Sequence, residues 1–154
     1  MLTELCAEIK NYFIPDHHNA DKYIHLGTFV IEDGEVQGLQ FLQPGQYYRI
    51  IGSVFSDGVH KYGDAEDQLA DETFDGAVWE MRVPPDVLKL AKDIEDWTAA
   101  NADAIASPYQ SESYVAYSRT LKSGASGGSA DGGAFGWQQQ FASRLKPYRR
   151  LRVL

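Results

Sequence analysis

At 154 residues, 44% apolar and 23% charged, the chain has the size and composition of a single globular domain, able to bury a core without metal or disulfide help. One cysteine excludes an internal disulfide, and a net charge of −8 argues against a dedicated nucleic-acid binder, which carries a basic face. No window is apolar for long enough to form a transmembrane helix, and Met1-Leu2-Thr3-Glu4 has no basic leader, so the chain is expected in a cytoplasm or in a particle assembled there.

Helical spacing predicts a first helix from Leu2 to Phe13, stopped by Pro15, with Cys6 on its apolar face beside Leu2, Leu5, Ile9 and Phe13. That face makes Cys6 an inert buried thiol. Asp16-His17-His18-Asn19 reads as a polar loop. A β-rich middle follows. Thr28 to Glu32, Asp33-Gly34 and Glu35-Val36 form a hairpin signal, because Asp-Gly supplies the positive φ angles of a type I′ turn. Pro44-Gly45 marks another turn. Gln46 to Phe55 (QYYRIIGSVF) predicts a largely buried strand in which Gly52 permits a bulge or a close backbone approach. Asp57-Gly58 turns into Val59 to Tyr62, and Asp75-Gly76 leads into Ala77 to Val83, whose alternation is broken by Val78.

Pro84-Pro85 opens a strong amphipathic helix, with Asp86 favouring its positive end and Val87, Leu88, Leu90, Ala91, Ile94 and Trp97 on one face. It is expected to cover the sheet and to run on to Ile105, ending before Pro108. Ser113 to Leu121 reads as one more strand. Ser123 to Gly136 is almost only Gly, Ser, Ala and Asp and cannot pack a core. An amphipathic stretch, Trp137 to Leu145, and a basic, apolar tail close the chain.

The expected fold class is therefore α+β. A small antiparallel sheet of four to five strands is packed by an N-terminal helix and a central amphipathic helix, followed by a Gly-rich loop and a C-terminal helix or arm. The corresponding divisions are 1–122, an α+β domain; 123–136, the Gly/Ser-rich loop; and 137–154, the C-terminal helix and basic docking tail.

Charge is unevenly placed. Thirteen acids against four Lys/Arg lie between Asp57 and Asp103, whereas Arg144 to Leu154 holds five basic residues and no acid. The tail complements an acidic surface such as that of a neighbouring copy. Arg144, Arg149, Arg150 and Arg152 are the expected carriers of inter-subunit electrostatics, with Trp137, Phe141, Tyr148, Leu151, Val153 and Leu154 as apolar anchors.

Chemical motifs are weaker. Gly124-Ala-Ser126-Gly-Gly128 has the G-x-S-x-G pattern, but no helix can start in the Gly-rich residues after it. Asp16, His17, His18, His25 and His60 lack metal-ligand spacing. Asp71, Glu72 and Asp75 near Trp79 suggest glycosidase carboxylates, although sequence neighbours in a turn seldom sit across a cleft. Tyr47, Tyr48, Trp79 and Trp97 read first as core, and as a ligand platform second. Neither catalytic residues, cofactor nor metal are expected.

Gly45 to Val59, Asp71 to Trp79 with Val83-Pro84-Pro85, Ser107 to Tyr114, and Trp137 to Arg152 together resemble small proteins from the structural-gene region of tailed bacteriophages and prophages of Gram-positive hosts, near the portal and capsid genes. The Ser-Glu-Ser segment, the Tyr-Ser strand and the terminal Tyr-Arg-Arg also look like head–tail connector (adaptor) proteins. The β-rich middle departs from the mainly helical pattern of typical adaptors. The resemblance implies a virion protein of the neck, made in the host cytoplasm. It would form a homo-oligomeric ring, commonly a dodecamer, beside the portal protein and a downstream neck or tail-completion protein. Its C-terminal arms would dock on the portal or on adjacent subunits. DNA would pass non-specifically through the channel, and no membrane is involved. The alternatives are a small α+β ligand- or carbohydrate-binding module using Tyr47, Tyr48 or Trp79, and a glycoside hydrolase-like enzyme using the Asp71, Glu72 and Asp75 cluster.

Overall fold

The computed structural model describes residues 1–106, 109–112, 119–121 and 136–151. The fold is α+β, and its chain divides into two compact units. One holds Leu2–Pro85 together with the chain from Arg150 on; the other holds Asp86–Arg149 and Met1. The expected boundary at 122 and the Gly/Ser-rich loop, apart from Gly136, lie outside the described residues.

Helix α1 (Leu2–Ile9) buries Leu5, Cys6 and Ile9. It ends four residues before the expected Phe13. The cause is Lys10, which turns left-handed at φ +55°. Lys10 N–H then donates to Ala7 O (3.2 Å) and Asn11 N–H to Cys6 O (3.0 Å), the paired bonds of a Schellman stop. The Ile9 carbonyl is taken by Arg150 N–H at 2.8 Å. The expected polar loop at Asp16–Asn19 is instead the start of a 3-10 segment, His17–Tyr23, capped by Asp16, which accepts from His18 N–H.

Strands β1 (Ile24–Glu32), β2 (Glu35–Val36), β3 (Tyr47–Ile51), β4 (Gly58–Lys61) and β5 (Glu72–Glu80) form one antiparallel sheet in the order β2-β1-β5-β3-β4. The expected hairpin is present, with Asp33 at φ +55° and Gly34 at +83° between paired Glu32 and Glu35. Pro44-Gly45 turns as expected, Gly45 at +84° and Gln46 N–H on Gln43 O. One sheet face carries the core: Ile31, Val36, Leu39, Leu42, Tyr48, Ile50, Phe74 and Val78, with Phe29, Phe41, Tyr62 and Leu69 packed on it. On the opposite face Arg49 lies over the rings of Tyr12 (3.6 Å) and Trp79 (4.5 Å). Both faces of central β5 are covered at Ala77 and Val78, which explains the broken alternation there.

The strand expected over Gln46–Phe55 stops at Ile51. Gly52 adopts φ +99°, and a Cβ there would meet Asp75 O at 2.7 Å; a Cβ on Gly76 would land on Ile51 O. The two backbones thus approach closely, one of the two roles anticipated for Gly52, and the chain leaves the ladder at that point.

In the second unit, α2 (Pro85–Ala100) buries Val87, Leu90, Ala91 and Ile94. It is interrupted at Asn101, whose side-chain amide donates to Trp97 O (2.8 Å), before α3 (Ala102–Ala106) continues the helical path. Of the strand expected over Ser113–Leu121, the part from Arg119 to Leu121 is β7, paired antiparallel with β6 (Tyr109–Glu112); residues 113–118 lie outside the described set. Short helices α4 (Trp137–Gln140) and α5 (Ala142–Leu145) precede a 3-10 turn at Lys146–Tyr148. Among the described residues no helix is long and apolar enough to cross a membrane.

Candidate assembly surface

The C-terminal residues singled out by sequence separate into distinct environments. Phe141 is 8% exposed and packs edge-to-face on Trp97 at 6.0 Å, so its ring is spent inside the chain rather than offered outward; Leu145 beside it is also buried. Trp137 is half-buried. Arg144 donates to Asp93 at 2.7 Å. With Lys89 also on Asp93 at 3.0 Å, the two cations hold that carboxyl below the ordinary aspartate range, Arg144 contributing most. Arg144 and Tyr148 line an open cleft of about 270 Å³ with Asp86, Lys89, Leu90 and Pro147. Arg149 is exposed, Arg150 is half-buried, and Leu151 is 100% exposed. Arg152, Val153 and Leu154 lie outside the described residues.

A second surface was missed by sequence reasoning. After β3 the chain forms a tight loop, residues 52–57, in which four successive amides find side-chain acceptors. Ser53 N–H donates to Asp57 Oδ1 (2.7 Å) and Val54 N–H to Glu72 Oε1 (2.7 Å). Phe55 and Ser56 N–H both donate to Ser53 Oγ (3.3 and 2.9 Å), which itself donates to Glu72 Oε2 at 2.5 Å. His60 reaches Ser56 O through Nε2 (2.6 Å) and Asp67 through Nδ1 (2.9 Å). Ser53 and Ser56 are buried, while Val54 and Phe55 point outward, 79% and 72% exposed. Two large apolar side chains are thus presented on a backbone whose amides are already satisfied. The local signal was Ser53 with Ser56-Asp57, a side-chain-capped turn; the apolar pair between them read as strand.

Two members of the acidic cluster, Glu72 and Asp75, are engaged in hydrogen bonds. Glu72 accepts at both oxygens, and the hydroxyl of Ser53, then the amide of Val54, hold its carboxyl below the ordinary glutamate range. That is the wrong direction for a catalytic acid, which is kept protonated near neutral pH. Asp75 accepts from the Thr28 hydroxyl. Three positions apart on one strand, Glu72 and Asp75 face opposite sides of the sheet, not each other. Two of the three rings of the binding-module alternative are occupied: Tyr48 is core, and Trp79 is stacked by Arg49 and met at its edge by Tyr12, while Tyr47 is half-buried with Lys61 5.9 Å from its ring centre.

Among the described residues no group of three or more His, Cys, Asp or Glu is arranged to hold a metal ion. His25 stacks on Phe41 at 3.7 Å instead. The G-x-S-x-G match at Gly124–Gly128 lies outside the described residues. Burial pushes the Cys6 thiol up to about 12.

No protein-family model matches the chain, and neither curated proteins nor solved structures include a significant match to it.

Proposed function

We propose that the chain is a non-enzymatic structural subunit of a tailed-phage particle, a head–tail connector that joins copies of itself into a ring beside the portal through which DNA passes. The observation that carries the assembly reading is the hydrogen-bonded loop holding Val54 and Phe55 in solvent. Exposing two such side chains on a prepaid frame is disfavoured for an isolated protein and suits one that buries them on a partner. Leu151, fully exposed next to Arg149 and Arg150, extends the same logic to the basic tail. The phage assignment rests on the resemblance of the segments from Gly45 to Val59, Asp71 to Trp79 with Val83 to Pro85, Ser107 to Tyr114 and Trp137 to Arg152. Quantitative mass spectrometry of purified particles tests it. A low, portal-like ratio of this chain to the major capsid protein supports a position in the neck; absence from intact particles overturns it.

A further inference from the structure

The sheet treats its edges unequally. On the outer side of β4 the Val59 and Lys61 amides are closed by Thr3 Oγ1 (3.1 Å) and Asp67 Oδ2 (2.8 Å). The opposite edge begins with β2, only two residues long, whose turn accepts Leu69 N–H at Gly34 O. Beyond β2, the outer edge of β1 is open. Gln37 N–H donates to Val30 O on that side at 2.8 Å. Alternation along a strand therefore aims the N–H and C=O of Leu26 and Thr28 the same way, and among the described residues no hydrogen bond reaches them there. Open edges are ordinarily blunted by Lys, Pro, a bulge or a covering element. Here Ile24, Leu26, Thr28 and Val30 carry no charge, the pairing with β5 runs without a bulge, and Leu26 is 80% exposed.

We propose that this edge of β1, centred on Leu26 and Thr28, receives the tail of a second copy, residues 150–154, as an added strand. The inference rests on the assembly reading above and names the site its tail occupies. Three properties of the tail fit. Arg150 to Val153 alternates long polar and apolar side chains, and the segment to Leu154 has no Gly, Pro or acid, so it can sit flat on an edge. Five residues at about 3.3 Å each match the stretch from Ile24 to Thr28. Its charge is opposite to that of the chain as a whole, which carries a net −8 and places Asp75 across from Thr28 and Glu32 at the end of β1. The same balance repels acidic peptides and anionic membranes. Leu151 is fully exposed, its side chain uncovered by its own chain among the described residues.

The test titrates a synthetic peptide of residues 147–154 into the full-length chain and follows amide hydrogen exchange residue by residue. Binding should slow exchange at Leu26 and Thr28 by about tenfold or more at saturation while leaving Val59 and Lys61 unchanged. Thr28→Pro removes one outward donor and the hydroxyl's bond to Asp75, but no backbone bond to β5, and should abolish binding. Leu26→Lys, at a site too exposed to matter for folding, should weaken it and serves if the proline variant misfolds. No binding at millimolar peptide, protection elsewhere, or binding undiminished in both variants overturns the proposal. That failure is distinct from failure of the connector reading, which is decided by the particle inventory and leaves the peptide result standing.

Discussion

Gly76→Ala is the sharpest perturbation of the sheet. An added Cβ would clash with Ile51 O and sit 3.0 Å from Ile51 C and 3.1 Å from Gly52 Cα. All three are backbone atoms of the paired strand, so no flexible side chain can yield. β3 and β5 must part locally. Such overpacking costs about 1–3 kcal/mol, and loosening one ladder bond adds about 1 kcal/mol. The expected loss is about 3 kcal/mol, a fall in Tm of roughly 6–12 °C for a chain of this length. Urea unfolding followed by tryptophan fluorescence measures it. Gly38→Ala is the control: at φ +78° with nothing within 4 Å of the new methyl, it carries only the conformational term, about 1–2 kcal/mol. Equal losses in the two variants would refute the close approach as the reason β3 ends at Ile51.

Glu72→Ala should leave the sheet intact yet release the loop, read as faster exchange of the Val54 amide and new proteolytic cleavage at Phe55. Acid should mimic it: the folded state holds Glu72 more acidic than the unfolded chain does, so its contribution is fully present above the ordinary glutamate range and disappears as pH falls below it. An exchange rate at Val54 that stays flat from neutral pH down through that range, after correction for intrinsic exchange, would contradict this. Lys10→Gly should stabilise by about 0.5–1 kcal/mol, because glycine occupies the left-handed stop of α1 without steric cost; chemical denaturation reports it. Cys6 should react with a thiol reagent only at the rate of unfolding, since its sulfur is buried and its thiolate disfavoured.

What was readable in the sequence was what neighbours in the chain decide. Asp33-Gly34 supplies both positive φ angles of its turn, and Pro84-Pro85-Asp86 starts a helix by local chemistry alone. The end of α1 escaped because the left-handed position is filled by lysine, where the usual signal is glycine. The loop after β3 escaped for a different reason. Its frame depends on Glu72, nineteen residues away, and on the approach of Gly76, so a β-prone run of Val54 and Phe55 gave no local sign that the ladder had stopped. The closed edge of β4 and the open edge of β1 differ through Thr3 and Asp67, which no period in the chain connects to their strand. Among the expected anchors, Phe141 looked like its exposed neighbours because amphipathic spacing cannot say which partner its face meets; the ring meets Trp97.

The bond from Arg150 to Ile9 O joins residues about 140 positions apart. Closing a loop of that length in an otherwise open chain costs about 4 kcal/mol of entropy, several times what one amide bond returns. This contact therefore cannot nucleate anything. It forms once the intervening chain has already folded, and the first helix waits with an unfilled last carbonyl until then. Once the intervening chain has folded, that entropy cost has already been met, so the bond itself then adds only about 1 kcal/mol to hold Arg150 on the end of the first helix.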